Sequence, residues 1–244
     1  MFKKRKIIII IIGIILLIVF GSLIYLNQSY SPLEGNHEYL AKENIYEDDQ
    51  YYHFKSEANN KTGLIFYQGA KVEEESYAPL CKSLNQADFP VFLVKMPFNL
   101  AVFDKNRATQ IIKENNTKVD NWYIIGHSLG GAMAASYLAE KDVDYYTGII
   151  FLASYPPEDI DFSNKNIKVL SISATEDQIM NREKFTEAKN NLPEETKFHM
   201  IEGGNHAGFG NYGPQQGDGK RNITREKQWE ITNDLIINFI KENE

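Results

Sequence analysis

The stretch WYIIGHSLGGAMAASYLAE, residues 122–140, decides how the rest of the chain is read. It opens with a short apolar run that has the length and composition of a buried strand. It closes with a run of good helix formers. Between them, Gly126-His127-Ser128-Leu129-Gly130, followed by Gly131, matches the G-x-S-x-G pattern. That pattern makes a tight strand-to-helix turn that holds a serine in a strained conformation at the head of the helix. The flanking glycines let strand and helix approach closely. The helix N-terminus also sets its positive dipole end beside the serine. The plainer alternative is a serine that caps a helix after a glycine turn.

Outward from this turn, short apolar runs alternate with helical patterns. Runs at 51–55, 64–67, 91–94, 122–125, 148–152, 169–172 and 198–201 are rich in Ile, Val and Phe, and most do not alternate with polar residues. Strands buried on both faces of a parallel sheet have this composition. Helical patterns fall at 74–86, 99–115, 130–140, 181–191 and 225–241. The alternation predicts a mostly parallel, doubly wound α/β sheet flanked by helices. Ligands bind such sheets beyond the carboxyl ends of the strands, so the polar residues that end these runs are the ones to weigh. Only about a dozen residues separate the runs ending near 154 and starting near 167, too few for a large cap domain.

A serine hydroxyl needs a base to become a nucleophile, and the base needs a carboxylate to orient it. Of five histidines, His127 sits inside the turn and should point away from the substrate side. His37 and His53 precede the main sheet, and His199 lies within a strand-like run. His206 stands in the glycine-rich loop 203–208 after the last apolar run and is the candidate base. In chain order the acid should lie between serine and histidine. Asp177 ends the turn after the 169–172 run and is preferred, with Glu176 and then Asp159 as rivals. A developing oxyanion requires two fixed donors. The backbone N–H of Leu129 is one candidate. The N–H of Ala70, in the turn after the 64–67 run, is the other, with Gly69 or Gln68 as alternatives. The Tyr67 hydroxyl is a weaker candidate than a packing role for that ring.

The segments FYQGAKVEEESYAPL (66–80), FLVKMPFNLAVF (92–103), IIGHSLGGAMAASYLA (124–139), ISATEDQI (172–179) and GGNHAGFGNYGPQQGDG (203–219) carry a resemblance, over about residues 60–240, to the α/β-hydrolase fold superfamily. Within it they are similar to a membrane-anchored bacterial group described as carboxylesterase-like. The resemblance implies the α/β-hydrolase fold and serine-hydrolase chemistry with Ser128, His206 and Asp177 as triad. It does not supply a substrate. Dienelactone hydrolases, more distant relatives, use a cysteine where this chain has Ser128, so lactone hydrolysis does not transfer. The expected activity is cleavage of a carboxylic ester of a small molecule through an acyl-enzyme. Acyl transfer to another acceptor, thioester hydrolysis, or a non-catalytic surface-binding role on the same fold are the alternatives.

The N-terminus has a different character. Lys3, Lys4, Arg5 and Lys6 precede the apolar run 7–26, in which sixteen of twenty residues are Ile, Leu, Val or Phe. Twenty helical residues span about 30 Å, the thickness of a bilayer core. Insertion of the sixteen gains roughly 5–10 kcal/mol. A buried core helix would not be apolar on every face. A cleaved signal peptide would have a shorter apolar core and a small-residue cleavage site. The expected organisation is a cytoplasmic basic tail (1–6), a transmembrane signal-anchor (7–26), a polar linker (27–40) and a hydrolase domain (41–244) outside the cell.

Beyond the basic tail, 22 Lys and Arg face the 33 Asp and Glu of the whole chain, a net charge of −11. An acidic domain of this kind is not built for nucleic acid. No metal-ligating cluster or phosphate-binding loop is present in the sequence, and neither cofactor nor metal is expected. Asp218, between Gly217 and Gly219, reads as a turn residue. Cys81 is the one cysteine, so no intramolecular disulfide forms. Oligomeric state is not encoded in any pattern here. The basic tail and apolar run predict a topology. Protease added to intact cells should remove the domain and leave a short protected fragment, and a domain digested only after lysis would reverse the orientation.

Overall fold

A computed structural model describes residues 2–41, 44–57, 60–141 and 146–244; Met1 of the basic tail lies outside these. The chain begins with helix α1 (Phe2–Asn27), whose apolar window Ile10–Asn27 is long enough to cross a bilayer. Ile10, Ile11, Ile12, Ile14, Ile15, Leu16, Leu17, Ile18, Phe20 and Ile24 are largely exposed, with no protein neighbours to cover them.

Eight strands form one sheet: β1 (Ile45–Glu47), β2 (Tyr51–Phe54), β3 (Thr62–Tyr67), β4 (Val91–Val94), β5 (Asn121–His127), β6 (Gly148–Leu152), β7 (Lys168–Ala174) and β8 (Lys197–Ile201). Their order is β1-β2-β4-β3-β5-β6-β7-β8. β2 runs antiparallel to both β1 and β4 at one edge, and β3 through β8 pair in parallel. The fold is that of an α/β hydrolase. The 153–167 connection between β6 and β7 carries no helix, so no cap domain covers the sheet there.

Alternate residues of each central strand feed two cores. Leu64, Phe66, Tyr123, Ile125, Ile150 and Leu170 pack under α2 (Ala78–Gln86) and α6 (Arg225–Lys241). Ile65, Tyr67, Trp122, Ile124, Ile149 and Phe151 face α3 (Arg107–Asn115) and α4 (Leu129–Ala139). Helix α5 (Arg182–Ala188) follows β7. Two-sided burial explains why the strands lack polar alternation.

Two elements depart from the pattern expected of the sequence. Strand β1 was not signalled, because IYE is three residues long, partly exposed and paired on one side only. The helix expected over 99–115 is shorter. It starts at Arg107, and residues 97–103 form two 3₁₀ turns. Phe98 and Asn99 both take left-handed backbone angles, φ 53° and 56°, which an α-helix cannot contain.

The chain leaves β3 for β4 on one side and then crosses to β5 on the other. The carboxyl ends of β3 and β5, where Tyr67 lies opposite Gly126, therefore form the topological switch point. The fold's dependence on α6 can be measured. Ile236 is fully buried, and Ile236→Ala should cost about 2–5 kcal/mol in chemical denaturation, with no change in the order of unfolding probes.

Candidate active site

Ser128 sits between β5 and α4 with φ 52° and ψ −124°. Strain of this kind costs about 1–3 kcal/mol and persists only where the surroundings hold it. Four hydrogen bonds do so. Ser128 N–H donates to the Leu152 carbonyl at 3.0 Å, and the Ser128 carbonyl accepts from Gly131 N–H at 3.0 Å, from Ala132 N–H at 3.3 Å and from Ser154 Oγ at 2.6 Å. The glycines are required by packing. A Cβ on Gly126 would lie 2.4 Å from Gly131 Cα, and one on Gly130 would lie 2.4 Å from the Gln68 carbonyl oxygen. Their absence lets the head of α4 close onto both β5 and the end of β3.

The loop after β3 lies beside this helix head. Gln68 is fully buried and braces it: Nε2 donates to the Val72 carbonyl at 3.1 Å and to Asn99 Oδ1 at 2.9 Å, while Oε1 accepts from Met96 N–H. Gly69 N–H is taken by the Tyr77 hydroxyl at 3.1 Å. Among the described residues, no acceptor faces the N–H of Ala70 or that of Leu129. Tyr67 is turned into the core, where its hydroxyl donates to the Lys105 carbonyl and accepts from Ala108 N–H.

His206 follows β8. Its Nδ1 lies 2.9 Å from Asp177 Oδ2, and both side chains are almost wholly buried. Its Nε2 is buried without a hydrogen-bond partner. Ser128, Leu129 and His206 line one cavity of about 280 Å³, with Ala132, Ala153, Ser154, Tyr155, Ile179, Met180 and Asn181 forming its walls. Wider clefts, of about 510, 520 and 320 Å³, also lie on the domain, the second of them sharing Tyr155 with this cavity. The one imidazole among them, His53, stacks on Phe92, and burial lowers its pKa to about 4. Chemistry rather than size therefore marks the smaller cavity. Among the described residues, no group of three or more His, Cys, Asp or Glu is placed to hold a metal ion.

Burial by itself would raise the pKa of Asp177. The hydrogen bond and charge of His206, with N–H donors from Met180 and Ile179 on Oδ1, outweigh it and leave the carboxyl below its usual range. The acid therefore stays ionised beside its histidine. Glu176 accepts instead from the Thr175 hydroxyl, and Asp159 is exposed.

His127 lies behind His206, with ring centroids 4.6 Å apart, and its Nδ1 meets the Tyr77 hydroxyl at 2.7 Å. Burial first, and the charge of His206 second, push its pKa well down, so it stays neutral.

Several bracing residues escaped the sequence reading. Asp218 is more than a turn residue: Oδ2 accepts from Ala207 N–H at 2.8 Å, and Oδ1 accepts from Gly219 N–H at 2.8 Å and His206 N–H at 3.4 Å. The Arg182 guanidinium donates to the carbonyls of Ala174, Thr175 and Asp177 and so clamps the turn that carries the acid. Gln228 of α6 exchanges two hydrogen bonds with the backbone of Asn205. A carboxylate between two glycines just after the histidine loop was the available signal for Asp218. Arg182 and Gln228 left none, because their partners are backbone groups.

The model of the alpha/beta hydrolase family matches residues 63–230, more than half of the chain. The protein belongs to the alpha/beta hydrolase family, and the family places it among hydrolases. Among solved structures, it is similar to the Francisella virulence factor BioJ, with 16% identity and a TM-score of 0.63 over 85% of this chain and 88% of that one. It is also similar to a predicted CIB-like hydrolase from Thermoplasma acidophilum, with 16% identity and a TM-score of 0.58 over 81% and 98%. A third likeness is to the metagenome-derived lipolytic enzymes LipS and LipT, with 12% identity and a TM-score of 0.57 over 77% and 96%. At these identities the likeness is one of fold. No curated protein matches the sequence at a significant level.

Two substitutions separate the acid from its brace. Asp177→Asn should lower hydrolytic turnover by about 10⁴-fold while Glu176→Gln and Asp159→Asn change it only a few-fold. Asp218→Ala should cost up to about 10²-fold by loosening the His206 backbone. The lowered Asp177 pKa also gives a sign for stability. Its contribution is complete above the unfolded carboxyl value near ~4 and is lost as pH falls through the lower folded value. The stability gap between the parent protein and Asp177→Asn, read by denaturant titration, should therefore shrink in acid and not in base.

Proposed function

We propose that this protein is a membrane-anchored serine esterase, with Ser128 as nucleophile, His206 as general base and then acid, and Asp177 as its orienting carboxylate. One observation carries the reading. The His206 imidazole is tied to Asp177 through Nδ1 and leaves Nε2 unpartnered at the cavity that Ser128 also lines.

The steps follow from that arrangement. Ser128 Oγ attacks the ester carbonyl carbon as its proton passes to His206 Nε2, and Asp177 stabilises the imidazolium. The N–H groups of Leu129 and Ala70, which have no acceptor of their own, receive the oxyanion. Collapse breaks the ester C–O bond, and His206 protonates the departing alcohol. Water then attacks the acyl-enzyme with His206 as base, releasing the acid and restoring Ser128.

Helix α1 serves as anchor, with the basic residues Lys3–Lys6 on the cytoplasmic side and the domain outside. The lipolytic description of one structural relative fits an ester substrate. The same groups would serve a thioesterase or an acyltransferase if water were replaced in the second step.

A fluorophosphonate probe should label the parent protein and not Ser128→Ala. His206→Ala should fall to about the residual turnover of Ser128→Ala, and the double variant should be scarcely worse, because residues acting as one unit are not additive. A double variant that loses the product of the two single effects would sink the pairing. Lack of labelling in a folded parent protein would favour a binding role instead.

A further inference from the structure

The segment that leaves α1 is bound to the loops that follow β3 and β8, the loops that carry Ala70 and His206. Lys71 Nζ donates to the Leu26 carbonyl at 2.7 Å and to the Tyr25 carbonyl, and it lies over the Tyr25 ring. Tyr30 N–H donates to the Lys71 carbonyl at 2.6 Å, and Glu73 N–H donates back to the Tyr30 carbonyl. Ser29 and Ser31 both donate to Glu73 Oε1. The chain then passes to the histidine side: Pro32 bridges to Tyr212, and Leu33 N–H donates to the Asn211 carbonyl. Ala70, the candidate oxyanion donor, immediately precedes Lys71.

Beside the loop after β3 stands an apolar surface with no other partner in the domain. Phe98, Val102 and Phe103 are 46%, 56% and 53% exposed, and the two phenyl rings meet edge-on. Their loop is fixed to the oxyanion loop, since Lys71 N–H donates to the Asn99 carbonyl at 2.8 Å and Gln68 Nε2 to Asn99 Oδ1. The 3₁₀ turn Ala101–Phe103 also packs on α4, the helix headed by Ser128. Phe98 is held out in a left-handed conformation that a phenylalanine rarely adopts, and strain of this sort is retained where surroundings enforce it.

We infer that Phe98, Val102 and Phe103 dip into the bilayer surface beside the exit of α1, and that the enzyme's substrate is a long-chain acyl ester dissolved in that bilayer. The inference rests on the anchor and esterase readings above. Three residues from Asn27 to Tyr30 reach at most about 10 Å. The headgroup zone on each side of a bilayer is about 5–8 Å deep. A helix that spans the bilayer therefore holds the oxyanion loop, and the apolar loop bonded to it, at the interface. The contact is apolar and not electrostatic, because the part of the chain beyond the basic tail carries a net charge of −11 and Lys71 is occupied by the end of α1. An ester whose acyl chain already lies in the bilayer meets the cavity mouth without first entering water.

The test uses the full chain reconstituted in phosphatidylcholine vesicles. Trp122 and Trp229 are both buried, so Phe103→Trp adds the one exposed indole, and brominated phosphatidylcholine should quench it well beyond the parent protein. The triple variant Phe98→Asn, Val102→Ser, Phe103→Ser is then compared with the parent on two probes. One is a fluorogenic long-chain acyl ester embedded in the vesicles, the other a soluble acetyl ester. The embedded-to-soluble turnover ratio should fall by about tenfold or more. Absence of excess quenching overturns the membrane contact, and an unchanged ratio overturns the substrate class. A parent protein inactive on both esters sinks the esterase reading and the substrate class with it, while quenching still decides the contact. A chain that washes off vesicles in high salt refutes the anchor.

Discussion

Everything at the candidate site depends on one strained residue. Ser128 holds φ 52° because β5, α4 and the end of β3 converge on it, and they converge because residues 126, 130 and 131 have no side chain. The carbonyl of Gln68 occupies the space that a Cβ on Gly130 would need. The same contact that permits the turn therefore brings the loop carrying Ala70 against the helix N-terminus carrying Leu129. The strain at Ser128 and the approach of the loop after β3 to the head of α4 have a single steric cause.

The Asp177–His206 pair is assembled by a different principle. Asp177 and His206 belong to turns after successive strands, β7 and β8, and neither turn is fixed by regular structure. Hydrogen bonds to backbone groups fix them instead: Arg182 on the carbonyls of the acid turn, Asp218 on the N–H groups of the histidine loop, and Gln228 on Asn205. Such braces leave both side chains free to bond each other. Burial would favour a neutral carboxyl at Asp177, and the imidazole with two N–H donors reverses that preference. The neutral His127 behind His206 adds no competing charge.

A third set of contacts ties the segment after α1 to the candidate site. Residues 29–33, polar and punctuated by proline, would serve equally well as a loose tether. In the fold they run as a strap from the loop after β3 to the loop after β8, through Lys71, Glu73, Asn211 and Tyr212. The orientation of the cavity relative to α1 is therefore set by hydrogen bonds near both ends of the strap, and the exposed Phe98, Val102 and Phe103 lie on a loop bonded to the same rim.

Local chemistry alone determined a good deal. The apolar runs announced the buried strands because a strand covered on both faces has no place for polar alternation. The glycines around Ser128 announced the turn because no other residue fits it. Order along the chain singled out Asp177 and His206 as candidates, and the run of twenty mainly apolar residues marked a helix long enough to cross a bilayer. What the sequence left open depends on distances between residues remote in the chain. Glu176 and Asp177 are adjacent and chemically alike, and only packing against His206 separates them. Asp218, Arg182 and Gln228 act on backbone atoms, which leave no trace in residue type. The left-handed Phe98 and Asn99 ended an expected helix because the loop is held from Gln68 and Lys71, about thirty residues earlier. Periodicity reports which face of an element is buried; it carries no information about which loop will meet which across the end of a sheet, and that was decided by the tertiary structure.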